Sequence, residues 1–124
     1  MARGNDLAPV AGSIDTAAGE AQPSPAAADE AKARRYAALQ VVRRHCHIAW
    51  DQGAREGEAL ADARIGLVAL KLWADAGSEE QLDAARRAFA CACEADSRFG
   101  LARMAVHMLC SWARLAARTI CEAR

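Results

Sequence analysis

Aromatic side chains are scarce in this chain, 5% of 124 residues, although hydrophobic types reach 53%. Alanine makes up much of the difference. It buries little surface but is the strongest helix former, so the scarcity predicts a helical fold with a core that is shallow per residue. Three prolines are too few to interrupt long helices. Lysine is nearly missing, with only Lys32 and Lys71, so the basic side chains are almost all arginine. Neither sign of charge is in excess: 16 basic residues face 16 acidic ones. That balance argues against broad electrostatic binding to nucleic acid, which needs a clustered positive excess. No run reaches the ~18 apolar residues of a membrane span, and no apolar stretch of the secretory kind follows Arg3. Five cysteines are an odd number, which fits free thiols in a reducing, cytoplasmic setting better than a disulfide framework.

Catalytic and cofactor signatures are also missing. The chain has no GxGxxG, no GxxxxGK[ST], no HExxH and no ExxH pair of the di-iron type. The expectation is a protein that is not an enzyme and carries no cofactor.

What is present is periodicity broken by clear punctuation. Residues 1–28, "MARGNDLAPVAGSIDTAAGEAQPSPAAA", mix Gly, Pro, Ser and Ala without a sustained apolar period. Their composition predicts a disordered tail, either a plain tail or a linker or secretion address. Residues 29–124 read as a bundle of about four helices, with short connections that favour antiparallel neighbours. The first helix is expected from Asp29 to about Gln52, ending at the glycines of "GAREGE". The second runs from about Glu58 to Ala76, with Gly77 as C-cap. Ser78 opens the third, and "SEEQ" fits a capping box with Gln81 in the reciprocal position. The third ends near Ala95, and Asp96 or Ser97 caps the fourth.

The helix faces follow from spacing. The third helix turns Leu82, Ala85, Phe89 and Ala92 inward. The fourth places Leu101, Ala105, Met108, Trp112, Leu115 and Thr119 on one seam, opposite Arg103, His107, Ser111, Arg114, Arg118 and Glu122. Phe89 and Trp112 are therefore the expected aromatic anchors of the core. The second helix is apolar nearly all round, through Leu60, Ile65, Leu67, Val68, Leu70, Leu72 and Trp73. A helix of that kind is either central in its fold or covered by a partner.

The most suggestive stretch is "RRHCHIAW", residues 43–50. Successive helical residues point about 100° apart, so His45, Cys46 and His47 cannot converge on one ion. Cys46 lies in line with Tyr36, Leu39, Val42 and Ala49, the core side. His47 falls on the wet side with Gln40, Arg44 and Asp51, and His45 on the boundary near Val41 and Ile48. Cys91 and Cys93 diverge for the same reason. His107 and Cys110 have the better i,i+3 spacing, and a metal site there needs Cys91 or Cys93 from another helix. The same pair lacks the third group and oxyanion donors that nucleophilic catalysis requires. The acidic residues Asp51, Glu56, Glu58 and Asp62 around the glycine break do not have EF-hand spacing, and they read as a solvated connection. Of the pairs Arg34–Arg35, Arg43–Arg44 and Arg86–Arg87, the side chains of Arg35, Arg43 and Arg34 can line part of one face of the first helix, a local basic strip that suits phosphates. Paired charges are ordinarily a solvated face, however, acids at the start of that helix offset them, and no recognised reading motif stands beside them.

In "AARRAFACACEADSRF", Ala85, Phe89 and Ala92 have the spacing of the second helix of a tetratricopeptide repeat, and Asp96–Ser97 sits where its turn would be. One helix and a turn resemble that family. The turn proline is missing, the preceding loop exceeds the ~34-residue period and no second copy follows. The resemblance implies helical hairpins and a groove for a peptide or partner helix.

Together these features lead to an interaction protein (an adaptor, small chaperone or subunit of an assembly) binding a protein partner or its own copy through apolar helix faces. The alternatives are a Cys/His metal-handling bundle and a nucleic-acid-binding regulator.

Overall fold

A computed structural model describes residues 24–123, except for the side chains of Ala117 and of residues 119–123. The chain divides into two units, Met1–Glu30 and Ala31–Arg124. Most of the expected tail, residues 1–23, lies outside the described residues. Helix α1 spans Pro25–Asp51 and so begins before Asp29. The local cause is a cap followed by a proline. Ser24 Oγ accepts a hydrogen bond from the Ala27 N–H at 3.1 Å, and Pro25 takes the first helical position, where its missing N–H costs nothing.

Helix α2 spans Glu58–Ala76, α3 Glu79–Ala95 and α4 Gly100–Ala123, with a short 3₁₀ turn at Ser97–Phe99 between the last two. No strand occurs among the described residues. The α2–α3 junction takes only Gly77 and Ser78. Gly77 adopts a left-handed φ of 74° and donates to the Trp73 carbonyl at 2.6 Å, which closes α2. Ser78 Oγ then accepts from the Gln81 N–H at 3.4 Å and starts α3. Asp96 plays the same part for the 3₁₀ turn, accepting from the Arg98 N–H at 3.0 Å.

Two arginines tie the elements together by satisfying terminal carbonyls. Arg35 Nε donates to the Ala74 carbonyl near the end of α2 at 3.1 Å. Arg98 holds the Asp96 carboxylate and donates to the Gln52 carbonyl at 2.6 Å. Residue 35 of α1 therefore lies beside the end of α2, and the end of α1 beside the start of α4, which is compatible with antiparallel neighbours.

The core follows the expected stripes in α1 and α3. Leu39, Val42, Cys46 and Ala49 of α1 are fully buried. From α3, Leu82, Ala85, Phe89 and Ala92 meet Leu70, Trp73, Ala63 and Gly66 of α2. Gly66 sits where a helix would ordinarily prefer alanine. A Cβ at that position would lie 2.6 Å from Phe89 Cε2 and 2.8 Å from Cδ2, so the α2–α3 approach is close enough to need a glycine.

Helix α4 departs from expectation. Among its described side chains the buried ones are Ala102, Val106 and Cys110, preceded by Phe99, while Leu101, Met104, Met108, Trp112 and Leu115 are exposed. Trp112 is 60% exposed and is not a core anchor. The fourth helix carries two apolar stripes, and the fold buries the small one. Small side chains allow α4 to approach α3 closely, with Cys110 Sγ 4.0 Å from the Leu82 carbonyl oxygen. Facing the Leu, Met and Trp stripe inward would have held the two helices apart at the expense of packing density.

Candidate docking groove

The side chains that α4 leaves outside gather with a strip of α1. Ala38, Val41, Val42 and His45 form one wall, and Leu101, Met104, Ala105, Met108, Leu109 and Trp112 the other, around a groove of about 320 Å³. Val41 and Ile48 of α1 are exposed large hydrophobics on the same side of that helix. His45 is half-buried in the wall, and its Nδ1 is shielded without a hydrogen-bond partner among the described residues. The groove exists because α4 does not turn its bulkiest stripe inward. Helix α4 keeps Ala102, Val106 and Cys110 in the core and its long Leu, Met and Trp side chains at the seam, opposite Ala38, Val41 and His45 of α1.

A second apolar surface lies on α2, where Ile65, Val68 and Leu72 are exposed. It shares no lining residue with the groove. A shallower cleft of about 260 Å³ runs along it between Arg43, Leu67, Val68, Lys71 and Leu72. The all-round apolar character of α2 is thus partly core (Leu60, Leu70, Trp73) and partly open surface.

The histidines and cysteines singled out by the sequence are dispersed. Cys46 is buried and points to the core, whereas His47 is exposed and packs edge-on against Trp50, ring centres 4.5 Å apart. Cys91 is exposed, Cys93 half-buried, His107 exposed and Cys110 buried. Among the described residues no three His, Cys, Asp or Glu side chains gather to hold a metal ion. The Cys110 thiol is pushed up by burial, against a smaller opposing pull from Arg86 and Arg114, so it is not an activated thiolate.

Burial pushes the Cys46 thiol up from 9.0 to about 12. Below pH 9 folded and unfolded chains both keep this proton, and the group has no effect on stability. Between pH 9 and 12 the unfolded chain releases it and the folded chain does not, so stability falls as pH rises through that window. By about pH 10 the loss is about 1.4 kcal/mol. Denaturant midpoints at about pH 8 and pH 10 should therefore fall more steeply with pH for the wild type than for Cys46→Ala. Parallel slopes would mean that the thiol is hydrated. In the same native protein an alkylating reagent should modify Cys91 and spare Cys46.

The basic pairs also separate. Arg86 and Arg87 both engage the Asp83 carboxylate, Arg86 at 2.8 Å, and Arg35 is held by the Ala74 carbonyl. The acidic residues Asp51, Glu56 and Glu58 near the glycine break are exposed to solvent, with Arg55 3.9 Å from Asp51. On the α1–α2 seam Tyr36 donates to Asp75, and Lys71 Nζ lies 3.2 Å from the same carboxylate. Those two hydrogen bonds, Tyr36 first, hold the Asp75 carboxyl below its ordinary range. Tyr36, Asp75 and Lys71 pin α1 to α2, whereas Asp51 and Arg55 join His47, Trp50, Leu60 and Arg64 around an open cleft of about 370 Å³.

No helix among the described residues is long and apolar enough to cross a membrane. No family model, curated protein or solved structure matches the chain.

Proposed function

We propose that this chain is a non-enzymatic helical interaction module, an adaptor, small chaperone or assembly subunit, and that the α1–α4 groove is its principal docking surface. The observation that carries this reading is the outward stripe of α4: Leu101, Met104, Met108, Trp112 and Leu115 lie on one helix and are all exposed. Exposed apolar residues scattered singly are ordinary, but a contiguous stripe bordering a groove marks a contact site. The free thiols suit a reducing cytoplasm.

Three surface variants test the reading: Trp112→Ala, Met108→Asp and, on the other apolar surface, Val68→Asp. Since Trp112 is exposed, its truncation should change unfolding free energy by no more than about 0.5 kcal/mol. Partners captured from native lysate and identified by mass spectrometry should be lost with Trp112→Ala and Met108→Asp and kept with Val68→Asp. Light scattering on the same proteins separates a heterologous partner from a second copy. No captured partner together with a monomeric mass for the wild type would sink the interaction reading, and capture unchanged in all three variants would remove both apolar surfaces as its site.

A further inference from the structure

The charge on the helices that wall the groove narrows what can lie in it. This inference rests on the interaction reading above and specifies the partner. Residues 31–50 of α1 include five basic side chains and no Asp or Glu, and residues 100–121 of α4 include three basic ones and again no acid. Residues 51–96 hold ten acidic side chains against five basic ones. Over their full lengths α1 adds Asp29, Glu30 and Asp51 to its five basic side chains and α4 adds Glu122 to its three, so the formal neutrality of the chain conceals two helices of net positive charge and a central stretch of net negative charge. Around the groove, Arg44 is the exposed neighbour of His45, and Arg118 follows Leu115 by one turn of α4.

We propose that the α1–α4 groove takes an amphipathic helix of another protein, one whose apolar edge is flanked by Asp and Glu. Length, shape and charge agree on this occupant. The α4 wall from Leu101 to Trp112 runs about 16 Å at 1.5 Å per residue, room for about three helical turns. An apolar groove between two helices receives a helix through anchors at i, i+3, i+4 and i+7, and Met104 and Met108 are side chains that adapt to such anchors. A second copy docking through the same face would press two acid-free surfaces together, and like charges brought face to face in an interface are costly. An anionic bilayer or a nucleic acid matches the charge, but neither offers a ridge that fills a narrow apolar groove.

The test is a display library of helical peptides about 14 residues long, with fixed apolar anchors and flanking positions drawn from Glu, Lys and Ser, selected on the full chain. Peptides with Glu flanks should be enriched. The best of them, measured by fluorescence anisotropy, should bind at least about tenfold more weakly to Trp112→Ala, because a central aromatic anchor carries a large share of binding energy. Arg44→Glu/Arg118→Glu should weaken the Glu-flanked peptide and strengthen its Lys-flanked counterpart. Both variants replace exposed side chains, and circular dichroism checks that they remain folded. Enrichment of Lys or Ser flanks, absence of enrichment, or binding indifferent to Trp112→Ala would overturn the proposal. So would tighter binding to phosphatidylserine vesicles or to a generic DNA duplex than to any selected peptide, and that result would assign the face to a bilayer or to nucleic acid. Lysate capture lost with Val68→Asp and kept with Met108→Asp would leave the interaction reading standing while removing this groove as its site.

Discussion

Phe89→Ala should lower the unfolding free energy by about 3–5 kcal/mol, the range for removing a fully buried aromatic ring. Phe89 is 0% exposed and is among the largest fully buried side chains. It stands where α3 meets Gly66 of α2, and so few aromatics share the interior that no neighbour can refill the space. Many of the surrounding core residues are alanines: Ala63, Ala69, Ala74, Ala85 and Ala92. An alanine has no rotamers with which to collapse into a cavity, which places the cost toward the upper part of the range. Equilibrium denaturation with a linear extrapolation measures it. A loss under about 1 kcal/mol would show that the ring is not packed as described.

The second large effect runs in the direction opposite to helix propensity. Alanine is favoured over glycine inside a helix by about 1 kcal/mol, so a helix considered alone predicts that Gly66→Ala stabilises. The structure predicts destabilisation by about 1–3 kcal/mol, the usual range for overpacking. The added methyl would fall 2.6 Å from Phe89 Cε2, and the ring, enclosed on all sides, cannot swing away. The contrast is sharpest in a double mutant. With Phe89→Leu already in place the ring edge is gone, and Gly66→Ala should cost much less than in the wild type. Independent, additive losses at the two positions would contradict the close approach.

These two residues also show what was legible in the sequence. The inward face of α3 came from strict spacing around Phe89, a large residue among polar ones, and the structure buries that face. "RRHCHIAW" resolved correctly for a similar reason, since a core-side cysteine between arginines and histidines leaves little freedom in assigning faces. Gly77 and Ser78 marked a boundary because each does one local job, a left-handed turn and a cap. The start of α1 was missed because the Ala and Pro content of the preceding stretch outweighed Ser24–Pro25, itself a starting signal. The face of α4 was misread because spacing was weighted by side-chain size. Leu101, Met108 and Trp112 form the stronger apolar period, and alanine, which decided the buried face, is too frequent in the chain to show a period. The groove is the product of that inversion, so no motif search could have found it. The charge separation between its walls and the middle of the chain was countable in the sequence, but it gained meaning only once α1 and α4 were seen to lie side by side.

The junction at Gly77 and Ser78 has a consequence for how the chain assembles. Joining α2 to α3 closes almost no loop, so their contacts form at a small cost in chain entropy. The contact of Arg98 with the Gln52 carbonyl, which brings the end of α1 to the start of α4, spans 46 residues. Closing that span from an open chain is entropically costly, and a formed hairpin shortens it by drawing residues 58 and 95 toward each other along its length. The expected order of assembly is therefore hairpin first and groove last. The two walls of the groove are the elements whose mutual placement is least prepaid by local sequence, and a partner of the kind proposed would act as the missing short connection.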